Sequence, residues 1–192
     1  MVYSIAEVAF QYNDSYNETI VSFANNIHTV DGGTHETAFK NGITRILNDY
    51  ARRYKMLKDG DANLKGDDVR EGITAVISVK LKDAQFEGQT KAKLGNTAMG
   101  TLVNQLLNEK LVPFLDENPA IAKGILEKSI NAARVREAAQ KAREAARNNK
   151  KLSATRMPEK LADCIWNDAE RTELYIVEGD SAGGSAIQGR DR

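Results

Sequence analysis

Glu178 opens the run Glu178-Gly179-Asp180-Ser181-Ala182-Gly183-Gly184, directly after the apolar stretch Leu174-Tyr175-Ile176-Val177. If that stretch is a strand and a helix follows the glycines, the carboxylate stands at the carboxyl end of a strand. In open α/β sheets that crevice is where ligands bind. There Glu178 could act as a hard oxygen ligand for Mg2+ or as a proton-transfer group. The glycines permit a tight turn and close backbone approach. No Gly-Lys-Ser/Thr follows, so the run is not a phosphate-binding P-loop. For a bare Glu-Gly-Asp the plainer reading is a glycine-rich turn with a solvated glutamate.

A second group lies in Gln85-Phe86-Glu87-Gly88-Gln89-Thr90-Lys91-Ala92-Lys93-Leu94-Gly95. Lysine in a glycine-containing loop can reach a phosphate as a mobile point charge, and a nearby glutamine can orient a phosphate oxygen or a water. Lys91 and Lys93 offer the same chemistry two residues apart, and spacing alone fits solvated loop residues equally well. His28 and His35 flank a turn, but no further ligand types cluster with them at a recognised spacing, so loop or cap roles are expected. Cys164 has no Cys-x-x-Cys partner and no histidine close in sequence, which argues against a nucleophile. From Asn131 to Lys151, seven basic residues (Arg134, Arg136, Lys141, Arg143, Arg147, Lys150, Lys151) face only Glu137 and Glu144, a local charge of +5. This is either a solvated helix laced by pairs such as Glu137–Lys141 or a face that meets phosphates.

The elements that must position these residues follow from periodicity. Alternation predicts a strand from Val2 to Tyr12, with Val2, Ala6, Val8, Phe10 and Tyr12 on one face. Turn residues 13–17 lead into a second strand, Thr19 to Phe23, and the pair reads as a hairpin. Thr34 is the expected cap of a helix from about His35 to Met56, with the stripe Phe39, Ile43, Ile46, Leu47, Tyr50 and Tyr54. Ile73, Ala75, Ile77, Val79 and Leu81 alternate with polar residues and predict a strand with one buried face. Leu102, Val103, Leu106, Leu107, Leu111, Phe114 and Leu115 mark another helix, in which Pro113 should cause a kink or an end. Asn118 and Pro119 are the expected cap and first residue of a third helix, running to about Asn149 and roughly 45 Å long. Its first half carries Ile121, Ile125, Leu126 and Ile130. Lys150 to Pro158 reads as a connector.

Bulk properties exclude several classes. The chain has 192 residues, 41% of them hydrophobic, and 27 basic residues balance 27 acidic ones. Net charge therefore neither demands nor forbids nucleic acid, and only a local basic face is informative. One cysteine cannot form an internal disulfide and fits a reducing compartment. No apolar run approaches a membrane span, and the first residues lack the pattern of a secretion signal.

The motifs taken together resemble one family. Glu173 to Gly184 is similar to the first motif of the Toprim domain in the ATPase subunits of bacterial type IIA DNA topoisomerases, the family of gyrase B and its topoisomerase IV counterpart. Gly189-Arg190-Asp191-Arg192 resembles that motif's continuation. Gln89-Thr90-Lys91 followed by Lys93-Leu94-Gly95 resembles the family's transducer loop. Asn25 to Thr29, Asp31 to Glu36 and Asp68 to Gly72 resemble other parts of the same transducer domain. Lys160-Leu161-Ala162-Asp163-Cys164 is closer to the gyrase B side of the family. The resemblance extends over essentially all 192 residues.

The resemblance implies an α+β fold. Residues 1–150 would be a transducer domain like the second domain of ribosomal protein S5, with a left-handed crossover that general handedness rules do not predict. Residues 151–192 would be a linker and the N-terminal part of a truncated Toprim domain. It implies that Glu178 is a catalytic carboxylate and one Mg2+ ligand, completed by an Asp-x-Asp absent from this sequence. It implies that Gln89 and Lys91 contact the γ-phosphate of ATP, with Lys91 stabilising charge during hydrolysis and Lys93 structural. The family's upstream Mg2+-binding Asn, adenine-binding Asp and glycine-rich lid loops are not found here. ATP and Mg2+ would thus both need further parts of the subunit, and the chain alone is expected to be inactive. The implied activity of the whole is ATP-dependent strand passage, with DNA cut by a tyrosine of a gyrase A-type partner. A second copy of the gyrase B chain would complete an A2B2 assembly, cytoplasmic and without membrane contact. The ATPase subunit of topoisomerase IV is the nearest alternative, and a non-catalytic DNA-binding or interaction module is a second. A primase-like Toprim enzyme is disfavoured by the Gln-Thr-Lys loop.

Overall fold

The computed structural model describes residues 4–153 and 168–189, and its first strands show how one central strand organises the rest. β1 (Ile5–Tyr12), β2 (Thr19–Ala24), β3 (Ile27–His28) and β4 (Ile73–Lys80) form a four-stranded sheet in the order β1-β4-β2-β3. The expected β1–β2 hairpin does not form. β4 lies between the two strands, antiparallel to β1 from Ile5↔Lys80 to Tyr12↔Ile73 and parallel to β2 from Thr19↔Thr74 to Ala24↔Val79. The reason is side-chain character. β4 buries Ile73, Ala75, Ile77 and Val79 completely or nearly so, and carries no charge before Lys80. β1 carries Glu7 and Gln11 outward, which suits an edge.

A tight hairpin does occur one connection later. Asn25 (φ 50°) and Asn26 (φ 65°) are both left-handed, the requirement of the two-residue turn that joins β2 to β3. Asn25 also ends β4. Its side-chain amide donates to the Leu81 carbonyl and accepts from the Leu81 N–H, both at 2.9 Å.

α1 (Thr34–Arg53) lies on the apolar face of the sheet through Phe39, Ile43, Ile46, Leu47 and Tyr50, as its spacing predicts. Tyr54 falls outside the stripe and is half exposed. The predicted Thr34 cap is not used. Gly33 is the capping residue, and the Thr34 hydroxyl donates instead to the Asn96 carbonyl at 2.7 Å. A short helix, α2 (Gly66–Arg70), precedes β4, and the two-stranded hairpin β5 (Phe86–Glu87) and β6 (Lys93–Leu94) follows it.

α3 (Thr97–Glu117) packs against α1, and Gly42 sits where they meet. A side-chain carbon at Gly42 would stand 2.7 Å from Leu107 Cδ1, so a larger residue here would require the Leu107 side chain to shift. Pro113 neither ends nor shortens α3. Leu107, Leu111 and Leu115 are buried on both sides of it and hold the two halves of the helix against one core. α4 (Pro119–Ser153) begins with Pro119 as predicted, but the Asn118 side chain does not cap it. That amide donates back to the Phe114 carbonyl, and the Asn118 carbonyl accepts from Ile121 and Ala122. The buried stripe of α4 is Ala122, Leu126, Ser129 and Ala133, and Ile121 is exposed.

The chain divides into two compact units, Met1–Ala138 and Ala139–Arg192. The second contains a short 3-10 turn (Ala169–Arg171) and α5 (Gly179–Gly189). Residues 174–177 are not a strand there, contrary to the sequence expectation, and all four are exposed. No helix among the described residues is long and apolar enough to cross a membrane.

Phe39 tests the core. It is fully buried and meets Phe10 edge-on at 5.8 Å between ring centres. Phe39→Ala is expected to lower the unfolding free energy by roughly 3–5 kcal/mol, read as a shifted midpoint in chemical denaturation.

Candidate functional site

Gln89 and Lys91 sit at the tip of the β5–β6 hairpin. Phe86 pairs with Leu94 and Glu87 with Lys93, which leaves residues 88–92 as the loop. Gly88 (φ 79°) and Lys91 (φ 54°) are left-handed, and the Lys91 N–H closes the turn on the Gly88 carbonyl at 3.5 Å. A non-glycine residue held at positive φ is uncommon and marks a constrained turn. The side chains of Gln89 and Lys91 are exposed, and among the described residues neither makes a hydrogen bond or ion pair. Lys93 differs. Its ammonium is bound to Glu87 at 2.9 Å across the hairpin. Two lysines of like sequence context thus have different fates, one neutralised at the base of the hairpin and one free at its tip. A free ammonium and amide on a stiff turn fit a phosphate group brought to them.

The hairpin is rigid because its base is fastened twice. Asn96 forms one fastening: its side chain accepts from the Gln85 N–H at 2.7 Å and donates to the Asp83 carbonyl at 3.0 Å. The other is backbone to backbone. Asp31 N–H donates to the Ala92 carbonyl at 2.9 Å, Leu94 N–H donates to the Gly32 carbonyl at 3.1 Å, and Gly33 bridges Leu94. Gly33 (φ 145°) is required here, because a side-chain carbon would lie 2.5 Å from the Leu94 carbonyl oxygen. Sequence reasoning missed Asn96 and the Glu87–Lys93 pair. The second had a signal, since acid and base flank a glycine-led turn at hairpin spacing. The first had none, because an asparagine side chain bonding across 11–13 residues leaves no local pattern.

Glu178 precedes α5 at a left-handed Gly179 (φ 77°), so the turn from extended chain into helix is the one its glycine predicts. The Glu178 carboxylate is exposed, with Asp180 in the first helical turn. Among the described residues no three histidine, cysteine or acidic side chains gather around a common point. Mg2+ needs a near-octahedral set of oxygens, and these residues do not fit a complete site.

His28 and His35 are not brought together as ligands. His28 is exposed and lies against the Phe23 ring, 5.3 Å between centres. His35 is fully buried in the first turn of α1, where Nε2 is 3.3 Å from Thr29 Oγ1 and Nδ1 has no partner. Burial holds its pKa below the ordinary histidine value, and the neighbouring Glu36 only partly opposes this. Cys164 lies outside the described residues. Of the basic run, Arg136 is engaged by Asp68 through two bonds at 2.8 and 3.0 Å, whereas Arg134, Lys141, Arg143 and Arg147 are exposed.

The sequence model of the DNA gyrase B family matches residues 3–145. The DNA gyrase B protein of Clostridium acetobutylicum is 57% identical over 190 residues, spanning 99% of this chain and 30% of the relative. That of Streptococcus pneumoniae is 58% identical over 186 residues, 97% of this chain and 29% of the relative. The chain therefore spans about 30% of the length of these relatives. Among solved structures, the 43K ATPase domain of Thermus thermophilus gyrase B in complex with an aminocoumarin superposes with a TM-score of 0.68 at 48% identity. That match covers 74% of this chain and 38% of the other. The topoisomerase IV ATP-binding domain of Francisella tularensis, in complex with a small-molecule inhibitor, gives 0.62 at 31% identity, covering 69% and 36%.

Two outcomes follow from this geometry. Gly33→Ala is expected to cost roughly 1–3 kcal/mol of stability through its positive φ, and to speed amide exchange at Leu94 in hydrogen-exchange mass spectrometry. His35 has a depressed folded pKa, so its contribution is complete above the unfolded value, begins to fall as pH drops below it, and is lost as pH falls through the lower folded value. The unfolding midpoint should decline on acidification from neutral pH through the ordinary histidine range, and His35→Gln should flatten that slope.

Proposed function

The chain belongs to the DNA gyrase B family, and from that premise we propose that it is the part of such a subunit that senses ATP and passes its state toward the DNA-cleaving region. In this reading residues 1–150 are the transducer domain, and residues 151–192 are a linker with the first part of a Toprim domain. The intact enzyme is an ATP-dependent type II topoisomerase that changes DNA topology by double-strand passage, working in the cytoplasm. The partners of this chain are DNA, a gyrase A-type cleavage subunit and a second copy of the gyrase B chain. The exposed basic residues Arg134, Lys141, Arg143 and Arg147 suit contact with DNA phosphates.

The observation that carries the proposal is the contrast between Lys91 and Lys93. Lys91 is held at the tip of a stiff hairpin with its charge unpaired among the described residues, while Glu87 neutralises Lys93. The Lys91 ammonium meets the γ-phosphate of ATP bound by the preceding part of the subunit, and the Gln89 amide orients one of its oxygens. Lys91 thereby stabilises charge that spreads over the phosphoryl oxygens during hydrolysis. The turn fixes the Lys91 backbone next to the loop tip, and the unpaired ammonium is free to meet the phosphate as charge develops. Glu178 contributes one carboxylate to a Mg2+ site completed by residues elsewhere in the subunit, where the bound ion supplies charge stabilisation for DNA cleavage. The resident residues do no more there than present that carboxylate at a turn fixed by Gly179.

The test is ATP hydrolysis by the full-length subunit carrying Lys91→Ala or Lys93→Ala. Removing one preorganised donor to a transferring group typically costs about 100- to 1000-fold in kcat. Lys91→Ala should fall in that range, and Lys93→Ala should retain most of the activity. Wild-type turnover in Lys91→Ala would refute the γ-phosphate assignment.

A further inference from the structure

Within one compact unit, backbone bonds from the hairpin to residues 31–33, a run of ion pairs from Glu36 to Asp67 and the short helix α2 lie between the hairpin and Arg136 of α4, and the proposed ATP contact does not use them. β6 is hydrogen-bonded to residues 31–33, the entry to α1. The Glu36 carboxylate rests against that entry, 3.0 Å from where a side-chain carbon on Gly32 would be, and accepts from the Ser22 hydroxyl at 2.7 Å. One turn along α1, Lys40 bridges Glu36 and Glu18, 3.0 Å from each. Glu18 in turn binds Arg70 Nε at 2.7 Å, and Arg70 reaches Asp67 at 3.0 Å. Burial works against the charge on Glu18, but the hydrogen bonds from Arg70 and Lys40 outweigh it and hold its pKa low. Beside Asp67, Asp68 has a side chain only 3% exposed, and it receives the Arg136 guanidinium from α4.

Arg136 is also where α4 leaves the core. Ala132 and Ala133 are the last buried residues of the helix, and residues 137–147 are exposed. A bidentate guanidinium–carboxylate pair fixes direction as well as distance. If the clasp breaks, the nearly buried Asp68 carboxylate keeps only the Lys65 N–H at 2.9 Å, so the made and broken states differ sharply in energy. That is the property required of an element that two sites can bias.

We propose that Arg136 is a positioning residue that couples phosphate occupancy of the hairpin to the direction of α4, through the chain Glu36–Lys40–Glu18–Arg70 and α2. The inference rests on the reading of Lys91 as a γ-phosphate contact. When phosphate draws the hairpin tip, the strain reaches residues 31–33 through their backbone bonds and shifts the Glu36–Lys40 pair. The charges beyond it then exchange partners, and α2 carries Asp68 with it.

The experiment uses the full-length subunit assembled with its DNA-cleaving partner, as wild type, Arg136→Gln, Arg136→Lys and Lys91→Ala. Strand passage per ATP hydrolysed should fall roughly 2- to 30-fold in Arg136→Gln while hydrolysis itself persists, and Arg136→Lys should recover part of the ratio. Hydrogen exchange with a non-hydrolysable ATP analogue supplies an independent reading. In wild type the analogue should alter protection at residues 88–94, 66–70 and 133–138, and in Arg136→Gln only at residues 88–94 and 66–70. An unchanged ratio in Arg136→Gln, or an undiminished response at residues 133–138, overturns the proposal while leaving the Lys91 assignment intact. Wild-type hydrolysis in Lys91→Ala overturns that assignment, and the proposal with it, since the clasp then has no input.

Discussion

The contact on which the structure's organisation depends is the approach of the Leu94 backbone to Gly33. Among the described residues it is where β6, the entry to α1 and the loop leaving the main sheet are all tied by main-chain hydrogen bonds. The closeness of the two backbones requires the missing side-chain carbon of Gly33. The tie gives a two-stranded hairpin, marginal by itself in water, the support of a 20-residue helix and a buried core. A lysine on an unsupported turn would reach a phosphate only after losing much conformational freedom. On this hairpin the backbone part of that loss is already incurred in folding, and the Lys91 side chain, exposed and unbonded among the described residues, keeps its rotamer freedom.

Sequence period was sufficient where a segment has one buried face and packs on its own neighbours. β4, α1 and α3 carry their periods for many residues, and the boundaries of β4 and α1 fall within a few residues of expectation. It was insufficient where position depends on competition. β1 and β2 each look like half of a hairpin, yet both are better paired with the more apolar β4, and nothing inside either strand records that preference. Pro113 was expected to kink the helix or end it nearby because the local cost is real. Three leucines at i and i+4 spacing outweigh it, and only the packing shows how completely they are buried.

The site residues divide in the same way. The contrast between Lys91 and Lys93 follows from strand register, because Lys93 lies opposite Glu87 and Lys91 lies in the loop. Register is a long-range property of the pair, so equal chemistry at a two-residue spacing could not be resolved by composition. At Glu178 the turn was legible and the strand was not. Gly179 is left-handed and begins a helix as expected. Leu174 to Val177 are apolar, exposed and unpaired among the described residues, since a strand is defined by its neighbours as much as by its own residues.

Charge, finally, is used differently in the two places where it could carry information. On α4 beyond Arg136 the basic residues stand apart on an exposed helix, where salt screens them and each contributes little to folding. They are available to an external polyanion for that reason. From Glu36 to Arg70 charges of alternating sign are partly buried and hydrogen-bonded, and Asp68, which pairs with Arg136, is almost wholly removed from solvent. There the same residue types are expensive to separate and directional in their bonds. A buried two-bond ion pair has few alternative geometries, which is why the proposed coupling is placed on Arg136 and Asp68.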